Sequence, residues 1–346
     1  MTANQLWLAV FDWGVSQGWE SEMIVVQTPL RISFLGGGTD FEGFYAKEGG
    51  AVLSTGINLS VYVIVKKRYD NRIYINYSKK EIVDKVEKIE HELAREAMRI
   101  TEIEGGIEIT TLADVTSEGS GLGSSGSFTV GMLHALYAYK GELPTAEILA
   151  RQACQIEIDI LHRPVGKQDQ YIAAYGNLRF ITFNDSTVCV EKVHISKDTK
   201  QRLNRNLLLF YTGKSRESAT VLESQKNNID ARIGELSEMK KLAFEARDCL
   251  QEGALDDFGE IMHLGWEFKK KLTDKVSTTE IDNYYAIARR AGAIGGKICG
   301  AGGGGFLLLY CRQDKQDEVR CALSLLAEYS FNLKEDGSKV IFNYQG

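Results

Sequence analysis

Proline is nearly absent from this sequence, with three in 346 residues, and there is no low-complexity linker or repeat of solenoid period. No apolar run approaches the roughly 18–20 residues that span a bilayer. The six cysteines, at 154, 189, 249, 299, 311 and 321, include no C-x-x-C pair. That argues against a disulfide framework or a cysteine zinc site and suits free thiols in a reducing cytoplasm. The five histidines show no H-E-x-x-H or comparable spacing, so a protein-built transition-metal site is not expected. An excess of positive charge is missing too. A formal net charge of −6 gives no global attraction to nucleic acid or an anionic membrane, though it leaves room for a local basic pocket. Residues 1–22 carry Trp7, Trp13 and Trp19 but no basic leader and no long apolar stretch. They read as an amphipathic helix or extra strand rather than a signal peptide.

Glycine, by contrast, is abundant, and it clusters at 36–38, 119–126 and 300–305, where backbone must approach something closely. The length exceeds what one core usually supports, so two lobes are expected, 1–200 and 201–346. Periodicity predicts strands at 25–34, 51–67, 72–77, 106–112, 177–183, 187–195, 206–211, 305–310 and 339–344, with 72–77 the hairpin partner of 51–67. It predicts helices at 80–100, 124–139, 145–161, 219–251, 254–272, 279–291 and 316–326. The class is α+β.

The strongest local signal is Ser117-Glu-Gly-Ser-Gly-Leu-Gly-Ser-Ser-Gly-Ser127, between a predicted strand and a predicted buried helix. Its N–H groups can converge on an anion, and the helix N-terminus adds about half a positive charge there. Three readings compete: an ordinary structural loop, a dinucleotide loop and a nucleotide-phosphate loop. Gly121, Gly123 and Gly126 match G-x-G-x-x-G, as in an NAD-dependent oxidoreductase, but the strand–helix–strand context is missing. No G-x-x-x-x-G-K-[ST] is present, which excludes a Walker A loop.

The loop resembles the P-x-x-x-G-L-G-S-S-A motif of the GHMP kinases, with Ser117 where that family usually has proline. Thr28-Pro-Leu-Arg-Ile-Ser-Phe-Leu-Gly-Gly-Gly-Thr-Asp40 resembles that family's first motif, and Lys297-Ile-Cys-Gly-Ala-Gly-Gly-Gly-Gly-Phe306 its third. The resemblance implies an N-terminal lobe like ribosomal protein S5 domain 2, a ferredoxin-like C-terminal lobe, and phosphoryl transfer from ATP to a small alcohol. Galactokinases place a Glu-His pair where this chain has Gly37 and Gly38, which argues for a different, larger sugar. The strings F-L-G-G-G-T-D-F and G-K-Q-D-Q-Y-I-A-A-Y-G-N are similar to those of D-glycero-D-manno-heptose 7-phosphate kinases, which implies a sugar phosphate as partner. Fucose or another sugar is the alternative within the family. A homodimer is compatible with the sequence, which does not by itself specify an oligomeric state.

Glu157 points with an apolar helical stripe of Ala153, Cys154, Ile160 and Leu161. A buried carboxylate needs a partner, either a structural ion pair or a metal. The resemblance makes it the Mg²⁺ ligand with Ser125. Asp169 reads either as a helix cap or, by resemblance, as the base that takes the acceptor hydroxyl proton. Arg31 reads either as a surface arginine at a strand end or as the counter-ion of Asp169 and of the transferring group. Asp40 reads as an N-cap or a binder of substrate hydroxyls. The resemblance assigns Gly119, Ser120, Gly121, Leu122, Gly123, Ser124 and Ser125 to the nucleotide. It assigns Gly37, Gly38, Thr39, Asp40 and Gly303 to the substrate. Arg163, Lys167, Lys214 and Arg216 are candidates for a substrate phosphate, against the plain alternative of solvated surface charge.

Overall fold

The computed structural model describes residues 22–115, 119–213 and 218–345. Of the amino-terminal segment expected to form a helix or strand, only Glu22 falls within them.

Eight strands form the first sheet: β1 (Glu22–Leu35), β2 (Gly50–Lys67), β3 (Ile73–Asn76), β4 (Lys80–Val83), β5 (Ile107–Ala113), β6 (Leu178–Phe183), β7 (Val188–Lys192) and β12 (Lys339–Gln345). The order is β12-β1-β2-β5-β3-β4, with β6 and β7 extending from the first half of β2. Helices α1 (Glu42–Glu48), α2 (Glu92–Ile100), α3 (Ser124–Tyr139), α4 (Ala146–Cys154) and α5 (Gln168–Tyr175) lie between these strands in the chain, and α6 (Lys197–Asn206) follows β7 and touches the second sheet. β1 alternates buried and half-buried at first, then is buried continuously from Thr28 to Leu35. The change marks where it becomes covered on both faces. Leu30, Ile32 and Phe34 are fully buried there, each worth roughly 1.5–3 kcal/mol of apolar transfer. Helix α3 is buried nearly all round and lies against β1 and β2. Gly131 permits that approach, since a Cβ there would come within 2.7 Å of the Thr28 hydroxyl.

The second sheet is antiparallel: β8 (Leu207–Tyr211), β9 (Gly295–Ile298), β10 (Phe306–Tyr310) and β11 (Ala327–Glu328), in the order β11-β8-β10-β9. Helices α7 (Ser218–Asn227), α8 (Ile233–Glu252), α9 (Leu255–Lys270) and α10 (Thr279–Arg290) lie between β8 and β9, and α11 (Gln316–Ala322) between β10 and β11. This β-α-β-β-α-β arrangement is the ferredoxin-like one expected. The closing strand β12 returns to the first sheet and pairs with β1. No helix among the described residues is long and apolar enough to cross a membrane.

Four expectations need correction. The helix predicted over 219–251 is two helices, α7 and α8, separated by a 3-10 turn at Asp230–Arg232. β3 is not the hairpin partner of β2; it pairs in parallel with β5, which lies between them. The helix predicted over 80–100 holds only from Glu92, because β4 and a short 3-10 turn at Val86–Lys88 precede it. The helix predicted over 145–161 changes at Gln155 into a π-turn, Gln155–Ile160.

Candidate active site

Both halves of the chain line a cleft of about 590 Å³. The loop at 119–123 enters it with alternating glycines in left-handed conformation: φ is 70° at Gly119, 75° at Gly121 and 77° at Gly123. Such alternation turns successive N–H groups toward one point, a nest for an anion. The loop runs directly into the N-terminus of α3, whose dipole has the same sign. Leu122 is fully buried and anchors the loop in the core, its N–H donating to the Ser120 hydroxyl at 3.4 Å. The Ser120 and Ser124 hydroxyls lie 3.2 Å apart. The dinucleotide reading has no support here, because α3 leads into α4 instead of returning to a strand.

Arg31 sits where the β1–β2 ladder shifts register, between Pro29 and Arg31. Its N–H turns from β2 to the Leu122 carbonyl of the loop, at 2.9 Å. Its side chain is 4% exposed and forks onto Asp169: Nε donates to Oδ1 at 2.7 Å and a terminal nitrogen to Oδ2 at 2.8 Å. The other terminal nitrogen donates to the Gly121 carbonyl. Thus Arg31 is no surface arginine. Asp169 is the second residue of α5 and is not its cap; its side chain, 27% exposed, faces the cleft. Gly126 allows the contact between α3 and α5, since a Cβ there would meet the Asp169 side chain at 2.9 Å.

Asp40 is buried and accepts two backbone N–H groups, from Gly38 at 2.9 Å and Gln168 at 3.2 Å. Burial raises its pKa, and the Asp169 charge adds to the rise. Phe41, not Asp40, holds the N-cap position of α1. Glu157 is 1% exposed on the π-turn. The Ser125 hydroxyl donates to its Oε2 at 2.5 Å and Gln170 Nε2 to its Oε1 at 2.9 Å. Burial raises its pKa against the pull of these two bonds.

The remaining candidates separate. Arg163 donates to Ser125 at 3.1 Å and lies 4.0 Å from Glu157 and 3.5 Å from Glu92, beside the loop. Lys167 turns into a different pocket, its ammonium 4.8 Å from the Tyr45 ring. The Thr39 hydroxyl is fully buried and engaged with the Gly36 and Ala51 carbonyls. The Gly303 N–H is engaged with the Val276 carbonyl, and Gly300 and Ala301 line the cleft in its place. Lys214 and Arg216 lie outside the described residues.

Lys269 was not among the candidates. It lines the cleft from the end of α9, is 4% exposed, and has its pKa pushed down to about 8 by burial. The signal was legible: with Phe258, Met262 and Trp266 it follows a helical apolar stripe, the logic that singled out Glu157.

Mg²⁺ takes oxygen donors and usually keeps water and substrate phosphate among its ligands. The adjacent Ser125 hydroxyl and Glu157 carboxylate, at the head of α3, fit such an ion. No cluster of three or more His, Cys, Asp or Glu able to hold a metal exists among the described residues.

Known proteins resemble this chain over most of its length. Residues 76–177 match the family described as GHMP kinases N terminal domain, and residues 246–327 match GHMP kinases C terminal. The chain is 30% identical over 334 residues to D-glycero-alpha-D-manno-heptose 7-phosphate kinase of Campylobacter jejuni, covering 91% of this chain and 98% of that protein. It is 26% identical to galactokinase of Pyrococcus furiosus, over 90% and 96% of the two chains. The crystal structure of a D-glycero-D-manno-heptose 1-phosphate kinase from Bacteroides thetaiotaomicron superposes with a TM-score of 0.77 at 25% identity, covering 93% of this chain and all of that one.

Proposed function

We propose, from the premise that this chain belongs to the GHMP kinases and is a sugar kinase of that family, that it phosphorylates the C1 hydroxyl of D-glycero-D-manno-heptose 7-phosphate. The products are the 1,7-bisphosphate and ADP. ATP is the family's phosphate donor. The observation that carries the reading is the Arg31–Asp169 fork, set in the cleft directly against the anion-binding loop. The choice of sugar is supported by the C. jejuni relative, aligned over nearly its whole length.

In this reading the loop N–H groups and the α3 N-terminus hold the triphosphate. Arg31 fixes the rotamer of Asp169 through two parallel bonds and places positive charge beside the transferring group. Asp169 accepts the C1 hydroxyl proton as that oxygen attacks the γ-phosphorus and the bond to the β–γ bridging oxygen breaks. An anomeric hydroxyl is more acidic than an ordinary alcohol, so a carboxylate suffices as base. Asp40, held by two backbone N–H groups, keeps lone pairs for neighbouring sugar hydroxyls. Ser125 and Glu157 would hold Mg²⁺, which neutralises charge on the phosphates when bound. The catalytic contribution of the protein is then mostly positioning and charge stabilisation.

The test is coupled ADP release with Mg-ATP and a panel of D-glycero-D-manno-heptose 7-phosphate, mannose 6-phosphate, fucose and galactose. The expected result is turnover on the heptose phosphate. Turnover confined to another sugar overturns the substrate assignment and leaves the mechanism. No turnover on any of them overturns both.

A further inference from the structure

Gly37 precedes the cleft-lining Gly38, and the place its Cβ would take is closely surrounded. A Cβ built there would lie 3.3 Å from Gln168 Nε2, 3.4 Å from Ser33 Oγ and 3.6 Å from Lys269 Nζ. Three polar groups from three elements (α5, β1 and α9) therefore surround one point. Ser33 is unsatisfied at the atom that faces this point, and the Gln168 amide at its oxygen rather than at the nitrogen that faces it. Ser33 Oγ and Gln168 Oε1 are buried without a hydrogen-bond partner. Lys269 has no carboxylate within ion-pair distance among the described residues, although Asp40 and Asp169 act on it from farther away. A buried ammonium without a partner is costly, and so are a buried hydroxyl and amide oxygen. Lys269 and Gln168 line the cleft, and with the nearby Ser33 hydroxyl they offer an ammonium, an amide N–H and an O–H as donors to a ligand oxygen.

We propose that Lys269, with the Gln168 amide and the Ser33 hydroxyl around Gly37, binds an oxygen substituent of the phosphoryl acceptor. Lys269 is then a specificity-determining residue supplied by α9. The proposal rests on the sugar-kinase reading and deepens it. Of the cations considered for the acceptor that fall among the described residues, Arg163 lies beside Ser125 and Lys167 faces another pocket, while Lys269 lines the cleft and is acted on by the Asp40 and Asp169 charges. The ligand oxygen belongs either to a phosphate or to a hydroxyl, and both accept from an ammonium.

The groups that act on Lys269 are Asp40 beyond the 36–38 turn, Arg31 on β1, Asp169 on α5, and Cys299 following β9; Lys297 on β9 is coupled to it as well. With its pKa pushed down to about 8, Lys269 loses its charge as pH rises through that value, and acceptor binding weakens in the same window.

The experiment measures KM for the acceptor and for ATP between pH 6.5 and about 9. It uses the wild type, Lys269→Met, Lys269→Arg and Gly37→Ala, with D-glycero-D-manno-heptose 7-phosphate and the unphosphorylated heptose as acceptors. Lys269→Met should raise the acceptor KM about 10- to 100-fold, the size of a lost charged hydrogen bond, and leave the ATP KM within about twofold. Lys269→Arg, permanently charged, should abolish the rise of acceptor KM above pH 8. Gly37→Ala is a steric test. Gly37, unlike Gly36 and Gly38, is not among the glycines with positive φ, so its methyl narrows the subsite without straining the backbone and should also raise the acceptor KM. Loss confined to the phosphorylated acceptor identifies the phosphate as the group held; equal loss on both identifies a hydroxyl. An unchanged acceptor KM in all three variants, or a loss that falls on ATP instead, overturns the proposal. A wild type that turns over no sugar overturns the sugar-kinase reading itself, and this proposal with it.

Discussion

Two lysines are buried beside this cleft, each 4% exposed, and they differ in what their ammonium groups touch. Lys297 on β9 donates to the Ser33 carbonyl at 2.8 Å and to the Phe34 carbonyl at 3.2 Å, tying the second sheet to β1. Lys269 on α9 has no such bonds among the described residues and faces the cleft. Burial depresses both pKa values, and the Lys269 charge contributes to the shift at Lys297. Burial alone therefore does not separate a structural cation from a ligand-binding one; the state of its hydrogen bonds does. The same distinction separates Thr39, whose hydroxyl is engaged inside the protein, from Asp169, whose carboxylate is oriented by Arg31 yet open to the cleft.

The largest expected effect lies on the open side of this contrast. Asp169→Asn should lower kcat by about 10²- to 10⁴-fold, the range for removing a general base, with ATP binding retained in a nucleotide titration. A loss of ATP affinity instead would place Asp169 with the nucleotide.

Lys269 gives the next effect, in stability. Its folded pKa lies near 8 and its unfolded value at 10.5. Below pH 8 the ammonium is charged in both states and its burial penalty is fully expressed. Between pH 8 and 10.5 the unfolded chain binds the extra proton, so stability rises with pH. The difference between wild type and Lys269→Met, followed by urea denaturation without ligand, should shift in favour of the wild type by up to about 3 kcal/mol over this range. A flat difference would mean that the ammonium has a partner in the folded state.

Lys297→Met should show the opposite character at neutral pH. It leaves two carbonyls without their donor and should cost about 1–3 kcal/mol of stability, read as a lower denaturation midpoint, with the acceptor KM little changed. Glu157→Gln should raise the Mg²⁺ concentration for half-maximal turnover by at least about tenfold, the size that even outer-shell changes produce. An unchanged Mg²⁺ requirement would make the Ser125–Glu157 pair purely structural.

Much of this was legible in the sequence where one local signal dominated. The glycine-rich loop and helix 124–139 emerged at their observed bounds, because small residues, a helix start and an all-round apolar segment coincide there. The burial of Glu157 was also legible, although the helix there opens into a π-turn that i±3 and i±4 spacing does not anticipate. Segment 80–100 misled because its charged, helix-compatible residues conceal a short strand, β4, which among the described residues pairs only with β3. The parallel pairing of β3 with β5 depends on strands about thirty residues apart, beyond any turn signal. The cluster of Ser33, Gln168 and Lys269 spans positions 33 to 269, and only the packing of α9 against the first half of the chain brings it together.

The most direct measurement is the ³¹P NMR spectrum of the product formed from Mg-ATP and D-glycero-D-manno-heptose 7-phosphate. The expected spectrum shows a second sugar phosphorus coupled to the anomeric proton, absent when Asp169→Asn replaces the wild type. A new phosphorus coupled to any other sugar proton, or product formed equally by the Asp169→Asn variant, would contradict it.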